Sequence, residues 1–302
     1  MQTTATGIGI REAIDSYTRH LRARNLAPIT VRGHSRTLGA FADYLEQKGM
    51  PTHVGGLSRE HIETWQTELL GHLKASTVSL RHTTVGGFLR WLVEEGEIRD
   101  NPMARVRPPA VPESLVPVLQ EDDLRRLLST CRGNTFQQRR DLAVLAVLID
   151  TGCRVGELAG LRCDDVDLTE QRLTVMGKGR RPRVIWVEAQ ATRILDRYVR
   201  VRAGHPAARS EWFWVGHKGR LADNGIRQIV ERRAEEAGLG HVFPHMFRHT
   251  FNHRMQASGA PESAIMALAG WKTRTMLSRY GASAAAERAR EVHRRLSPLD
   301  QL

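Results

Sequence analysis

The segment PHMFRHTF, beginning at Pro244, sets His245 and Arg248 three residues apart. On a helix that spacing puts both side chains on one face. Pro244 suits the first turn of such a helix, where a missing N–H is no loss, and a helix N-terminus favours an anion. An imidazole, a guanidinium and the positive end of a helix dipole can therefore meet one phosphate. Further on, Trp271 offers an indole N–H and Tyr280 a phenol. That set suits transfer of a phosphoryl group to a protein hydroxyl. Each residue also has a plainer use. H-x-x-R on a basic helix is commonly a solvated face, and a tyrosine near Leu277 commonly packs.

The elements that would hold these residues follow from periodicity. Ile10, Ile14, Tyr17 and Leu21 recur at helical spacing, as do Val31, Leu38, Phe41 and Leu45 after Pro28. Ser58 is placed to cap a third helix carrying Ile62, Trp65 and Leu69, and Val78, Val85, Phe88, Leu89 and Leu92 mark a fourth. Four amphipathic helices with short loops predict a helical bundle over residues 1–100. Its polar faces carry Arg32, Arg36, Lys74, Arg81 and Arg90, which read either as a DNA clamp or as ordinary solvated surface. The span 101–117, NPMARVRPPAVPESLVP, holds five prolines and reads as an extended linker, with Arg105 and Arg107 able to track a DNA backbone.

Residues 118–302 form the expected second domain. A helix is predicted near Glu121 to Thr130, a more apolar one over Gln138 to Thr151, and a short one opening at Cys153–Glu157. Two β-like runs, Arg172–Met176 and Arg183–Val187, flank a turn from Gly177 to Pro182 with Lys178 at its tip. Helices follow near Ala189–Arg202 and Asn224–Ala237, and the tail reads as a short basic helix with a loose end. The fold class is therefore mainly α with a small β-sheet.

Charge points to a polyanion. The formal net charge is +12 and the pI about 10.5, and nine of those twelve charges lie after residue 110. Cys131, Cys153 and Cys163 show no C-x-x-C spacing, so neither a disulfide framework nor a zinc knuckle is suggested, and the chain reads as intracellular and reduced. The start, MQTTATGIGI, lacks the charged and apolar regions of a secretory signal. The longest strongly apolar run, Leu142 to Ile149, is too short to span a bilayer. A cytoplasmic protein with no membrane partner is expected.

Five boxes in one order carry a resemblance: TGCRVGELAGLRCDDVDL, LTVMGKGRRPRVIWV, PHMFRHTF, LAGW, and Tyr280 nine residues after Trp271. Over about residues 112–290 the chain resembles the catalytic domain of the tyrosine recombinases, the phage integrase family. The N-terminal bundle resembles that family's SAM-like core-binding domain more weakly. The resemblance implies a core-binding bundle followed by an α+β catalytic domain, of the simple two-domain Xer-like type.

By the same resemblance, Arg154 matches the first catalytic arginine, Lys178 the lysine of the β-turn, His245 and Arg248 the H-x-x-R box, and Tyr280 the nucleophile. Trp271 falls where most members have His and some have Trp, so it keeps an N–H donor but no titratable group. Glu157 matches an acidic residue that supports the site structurally, and Phe247 replaces the usual Leu. The implied activity is site-specific DNA recombination through a 3′-phosphotyrosine intermediate, with the arginines on the non-bridging oxygens and Lys178 protonating the leaving 5′-oxygen. The implied partners are a double-stranded recombination site, a homo-tetramer on synapsed DNA and, in some systems, an accessory DNA-bending or directionality protein. The tail, with Ala284, Ala285, Ala286, Ala289 and Val292 on one face, would dock on a neighbouring protomer.

Three rivals have features of their own. His245, His249 and His253, spaced by four, raise a metal-dependent nuclease, yet H-E-x-x-H and a carboxylate ligand set are missing, so no metal or other cofactor is expected. A non-catalytic DNA-binding regulator would keep the basic surface without needing the whole catalytic set. A type IB topoisomerase-like enzyme shares the chemistry, but a bundle followed by a small catalytic domain favours recombination.

Overall fold

Apolar residues at three- and four-residue intervals build α1 (Ile10–Ala23), α2 (Pro28–Gln47), α3 (Arg59–Leu70) and α4 (Ala75–Glu94). Pro28 occupies the first turn of α2. Ser58 precedes α3, and its N–H donates to His61 Nδ1 at 3.1 Å. The stripes read from sequence, from Ile10 through Leu92, are buried in one core, where Phe41 lies 4.8 Å from Trp65 between ring centroids. Arg32, Arg36, Lys74 and Arg90 are exposed, and Arg81 is half-buried.

In this computed structural model residues 7–112, 117–177 and 181–271 are described, with 273–274, 289–290, 293–294, 296–297 and 299. Lys178, Tyr280 and most of the tail, including its expected docking face apart from Ala289, lie outside the described residues. The chain separates into two units, Met1–Ser114 and Leu115–Leu302. Met103 and Val106, from the proline-rich span, pack into the core of the first unit, so that core continues past residue 100.

The second unit is built around α6 (Phe136–Thr151), preceded by α5 (Glu121–Ser129). Thr135 caps α6 by accepting the Gln138 N–H at 3.3 Å. Every residue from Ala143 to Leu148 is buried, as befits a helix surrounded on all sides. It ends at Gly152, whose φ of 56° is left-handed. A side chain there would also meet Phe251 within 2.9 Å, so glycine is required twice over. The chain then enters α7 (Val155–Ala159) after only Cys153 and Arg154.

Next comes an antiparallel sheet in the order β1 (Val166–Asp167), β2 (Arg172–Met176), β3 (Pro182–Trp186). Leu173 faces Ile185, and Val175 faces Arg183. Alternation buries Leu173, Val175 and Ile185 while Met176, Val184 and Trp186 are exposed. α8 (Ala189–Ala203) packs on α6, and a two-stranded hairpin, β4 (Val215–Gly216) and β5 (Gly219–Arg220), follows. α9 (Asp223–Glu236), α10 (Pro244–Ala257) and α11 (Glu262–Ala269) complete the unit, with α10 against α6 and α11 against α10. A fully buried carboxylate ties α9 to α6: Asp141 accepts from Arg140 at 2.9 Å, Arg233 at 2.7 Å and Arg232 at 2.5 Å. Paired this way, a buried charge is tolerated.

Strands β1, β4 and β5 and helix α11 are findings that periodicity does not foretell. Two-residue strands have no readable period. α11 has eight residues, ESAIMALA, with no polar stripe. Among the described residues no helix is long and apolar enough to cross a membrane.

Candidate active site

The end of α6 delivers Arg154. Gly152 turns the chain, and Arg154 becomes the N-cap of α7 with extended backbone. Glu157 lies one turn into α7 with its side chain 3 % exposed. It accepts the Arg154 backbone N–H at 2.9 Å and Arg154 Nη1 at 2.9 Å. The carboxylate is buried, while the Arg154 side chain that it holds keeps 37 % of its surface open. Glu157 takes a third hydrogen bond from Arg183 Nη2 at 2.9 Å. Burial alone would raise the Glu157 carboxyl, but the bonds from Arg183 and Arg154 and their charges outweigh it and hold the pKa below the usual range.

α10 delivers His245 and Arg248, with Pro244 in its first turn. His245 is exposed and Arg248 is 1 % exposed. Arg248 Nη1 donates to the Gly152 carbonyl at 3.0 Å, and Nη2 to the Ala269 carbonyl at 2.6 Å. Its guanidinium thus spans from the C-cap of α6 to the last residue of α11. The same group lies 5.1 Å from the centre of the Trp271 ring. Trp271 is buried with Ile265 and Ala269, just after the left-handed Gly270 that ends α11.

The His245 ring meets His249 edge-on at 4.5 Å. Partial desolvation lowers the His245 pKa, and the charges of Arg248, Arg154 and Arg227 lower it further. Both effects favour the neutral imidazole. His249 is buried and its pKa is pushed down to about 4 by desolvation, helped by His245 and Arg248.

Four of the six residues singled out in the sequence, Arg154, His245, Arg248 and Trp271, thus fall in one neighbourhood, and the other two are not described. Periodicity alone misses Arg183 and Arg227. Arg227, exposed on α9, carries no signal beyond the general basic character. Arg183 had one, since it is a charged residue at an inward position of a strand. His245, His249 and His253 differ in burial along α10, being exposed, buried and intermediate. Among the described residues no group of three or more His, Cys, Asp or Glu is arranged to hold a metal.

Two family models together match most of the chain. The model of the phage integrase family matches residues 117–287, and that of the phage integrase N-terminal SAM-like domain matches residues 14–96. The chain belongs to the phage integrase family, the tyrosine recombinases. Among its relatives, the tyrosine recombinase XerC of a Roseiflexus species is 30 % identical over 269 residues, 86 % of each chain. XerC of Oceanobacillus iheyensis is 29 % identical over 265 residues, 85 % of this chain and 87 % of the relative. XerD of Listeria innocua is 28 % identical over 268 residues, 86 % of this chain and 90 % of the relative.

The fold recurs in solved structures. XerH site-specific recombinase in a post-cleavage complex with a palindromic difH substrate aligns with a TM-score of 0.74 at 16 % identity, over 95 % of this chain and 84 % of that one. A lambda integrase dimer bound to a COC′ core site aligns with a TM-score of 0.71 at 17 % identity, over 91 % and 77 %. At such identity the likeness is one of fold.

Proposed function

We propose that this chain is a site-specific DNA recombinase that cleaves and rejoins a double-stranded site through a 3′-phosphotyrosine bond. The observation that carries the proposal is the junction of α6, α10 and α11 at Arg248, which brings Arg154, His245 and Trp271 around one place. Arg154 presents a partly open side chain there, and His245 stands beside it. The permanently charged fork of Arg154 on the non-bridging oxygens, with the buried charge of Arg248 behind it, stabilises charge that grows as phosphorus becomes pentacoordinate. His245 helps take the phenol proton, and Lys178 gives one to the departing 5′-oxygen.

Tyr280 is the nucleophile. The chain has four tyrosines. Tyr17, Tyr44 and Tyr198 are buried in the two cores at 6 %, 7 % and 0 % exposure. Tyr198 donates its hydroxyl to the Phe213 carbonyl at 2.9 Å, and burial pushes its pKa up to about 12. None of the three can reach a phosphate. Because the phosphotyrosine bond conserves the energy of the broken one, the hydroxyl of another strand can reverse the step. Strand exchange then needs no nucleotide hydrolysis, and a tetramer on two synapsed sites is its natural assembly. The relatives solved on DNA support that reading, one being a lambda integrase tetramer bound to a Holliday junction. The site of action is the cytoplasm, where such DNA is met.

The test is covalent trapping in excess EDTA, with genomic fragments selected by the protein as substrate. A denaturant-resistant adduct should form, and linear paired sites should exchange strands. Cleavage that requires added magnesium or manganese would favour a nuclease. Relaxation of any supercoiled plasmid without site preference would favour a topoisomerase, and sequence-specific binding without an adduct would favour a regulator.

A further inference from the structure

Strand β3 breaks its own alternation. Positions 183, 185 and 187 lie on the buried side, and Ile185 and Val187 are apolar as burial demands. Arg183 shares that side, opposite Val175 in the register, with its side chain 17 % exposed. Desolvating a guanidinium is costly unless specific partners offset it. Two do. Nη2 donates to Glu157 Oε2 at 2.9 Å, and Nη1 donates to the Leu268 carbonyl at 2.8 Å.

Those partners are not arbitrary. Glu157 is the carboxylate that orients Arg154. Leu268 carries the carbonyl just before that of Ala269, which Arg248 holds. Two arginines from distant elements therefore clasp consecutive carbonyls at the negative end of the α11 dipole, three and two residues before Trp271. Gly270 lies directly over Arg183. Its φ is 65°, and a Cβ there would stand 2.9 Å from Arg183 Nε and 3.0 Å from Cδ.

We propose that Arg183 is a positioning residue for the phosphate-binding wall. Through Glu157 it sets the guanidinium of Arg154, and through Leu268 it sets the end of α11 on which Trp271 sits. With Arg183 gone, both Glu157 oxygens are left to Arg154, whose fork is drawn inward and away from the phosphate. The proposal rests on the reading of Arg154 as a phosphate ligand.

The test uses the full chain in single-turnover cleavage of a nicked cognate site. One substrate is the phosphodiester. The other is a methylphosphonate, in which a methyl replaces one non-bridging oxygen and removes the charge that Arg154 meets. Arg183→Gln should slow cleavage of the diester by about 10- to 100-fold, the usual range for a residue that orients a ligating group. Gel-shift affinity should stay unchanged, and the methylphosphonate should be cleaved at close to the wild-type rate. Arg183→Lys, which keeps a charge against Glu157, should recover part of the loss. Gly270→Ala, which changes no charge but strains the left-handed end of α11 and displaces Arg183, should also lose rate on the diester alone. Thermal melts identify variants that fold, and if Arg183→Gln does not, the other two decide. Wild-type cleavage of the diester, or equal losses on both substrates, would overturn the proposal. Undiminished cleavage by Arg154→Ala would instead bring down the reading of the active site itself.

Discussion

The Gly152 carbonyl accepts a hydrogen bond from Arg248 at 3.0 Å, across 96 residues of sequence. Gly152 is the left-handed end of α6, and Arg154 comes two residues later. One arginine of the proposed site is thereby anchored to the turn that supplies the other. Their separation does not depend on a flexible loop.

That anchorage makes Gly152 vulnerable. Alanine would have to adopt a φ of 56° and would press on Phe251 at under 3 Å. Left-handed backbone costs a non-glycine residue about 1–2 kcal/mol, and overpacking adds roughly 1–3 kcal/mol. Gly152→Ala should lower the melting temperature by several degrees and reduce cleavage in the variant that remains folded. An unchanged melt would show that the turn relaxes freely.

Tyr280→Phe should separate binding from chemistry. It removes one oxygen, while affinity comes mainly from Lys and Arg contacts to phosphate. Gel-shift affinity at fixed salt should match wild type, and no denaturant-resistant adduct should form on a nicked suicide substrate. An adduct mapped to another residue would reassign the nucleophile.

Lys178→Ala should slow cleavage by about 10²–10⁴-fold if the lysine is the general acid. A substrate with sulfur at the 5′-bridging position leaves without a proton and should restore the rate. Failure of that rescue would move Lys178 to phosphate binding.

His249 should make the fold sensitive to acid. It is neutral in the fold, with a pKa near 4, held there by burial and by His245 and Arg248, but titrates near 6.5 in an unfolded chain. Between those values the unfolded state binds the extra proton. The stabilisation is complete above about pH 6.5 and is lost as pH falls towards 4, a change of at most roughly 3 kcal/mol. Urea midpoints at pH 7.5 and pH 5 should therefore differ less for His249→Gln than for wild type. Equal differences in the two proteins would rule out His249 as the source.

Much of this was legible in the chain before any coordinates. The stripes of α1 to α4 are long enough to repeat their period several times, and Gly152 announces the end of α6 by its residue type. Arg154, His245, Arg248 and Trp271 were findable because each sits in a box whose neighbours also fit a family pattern. The closing contacts were not legible. Arg248 is bonded to backbone carbonyls of Gly152 and Ala269, and a backbone carbonyl leaves no mark on residue identity. Arg183 was visible in principle as a charge on the inward side of β3, but five letters of strand with basic residues on both sides hide the alternation. α11 escaped because a short, nearly wholly apolar helix offers no contrast between faces.

The packing of Met103 and Val106 also sets where this gene should be divided for expression in halves. A fragment stopped at Asp100, the obvious cut before the prolines, would strip two plugs from the floor of its own core. The complementary fragment would begin with those same greasy side chains and nothing to cover them. Gln66 adds a latch, donating to the Arg107 carbonyl at 3.1 Å. Cloning junctions, purification tags and labelled segments for ligation therefore belong after Arg107, among Pro108, Pro109 and Pro112.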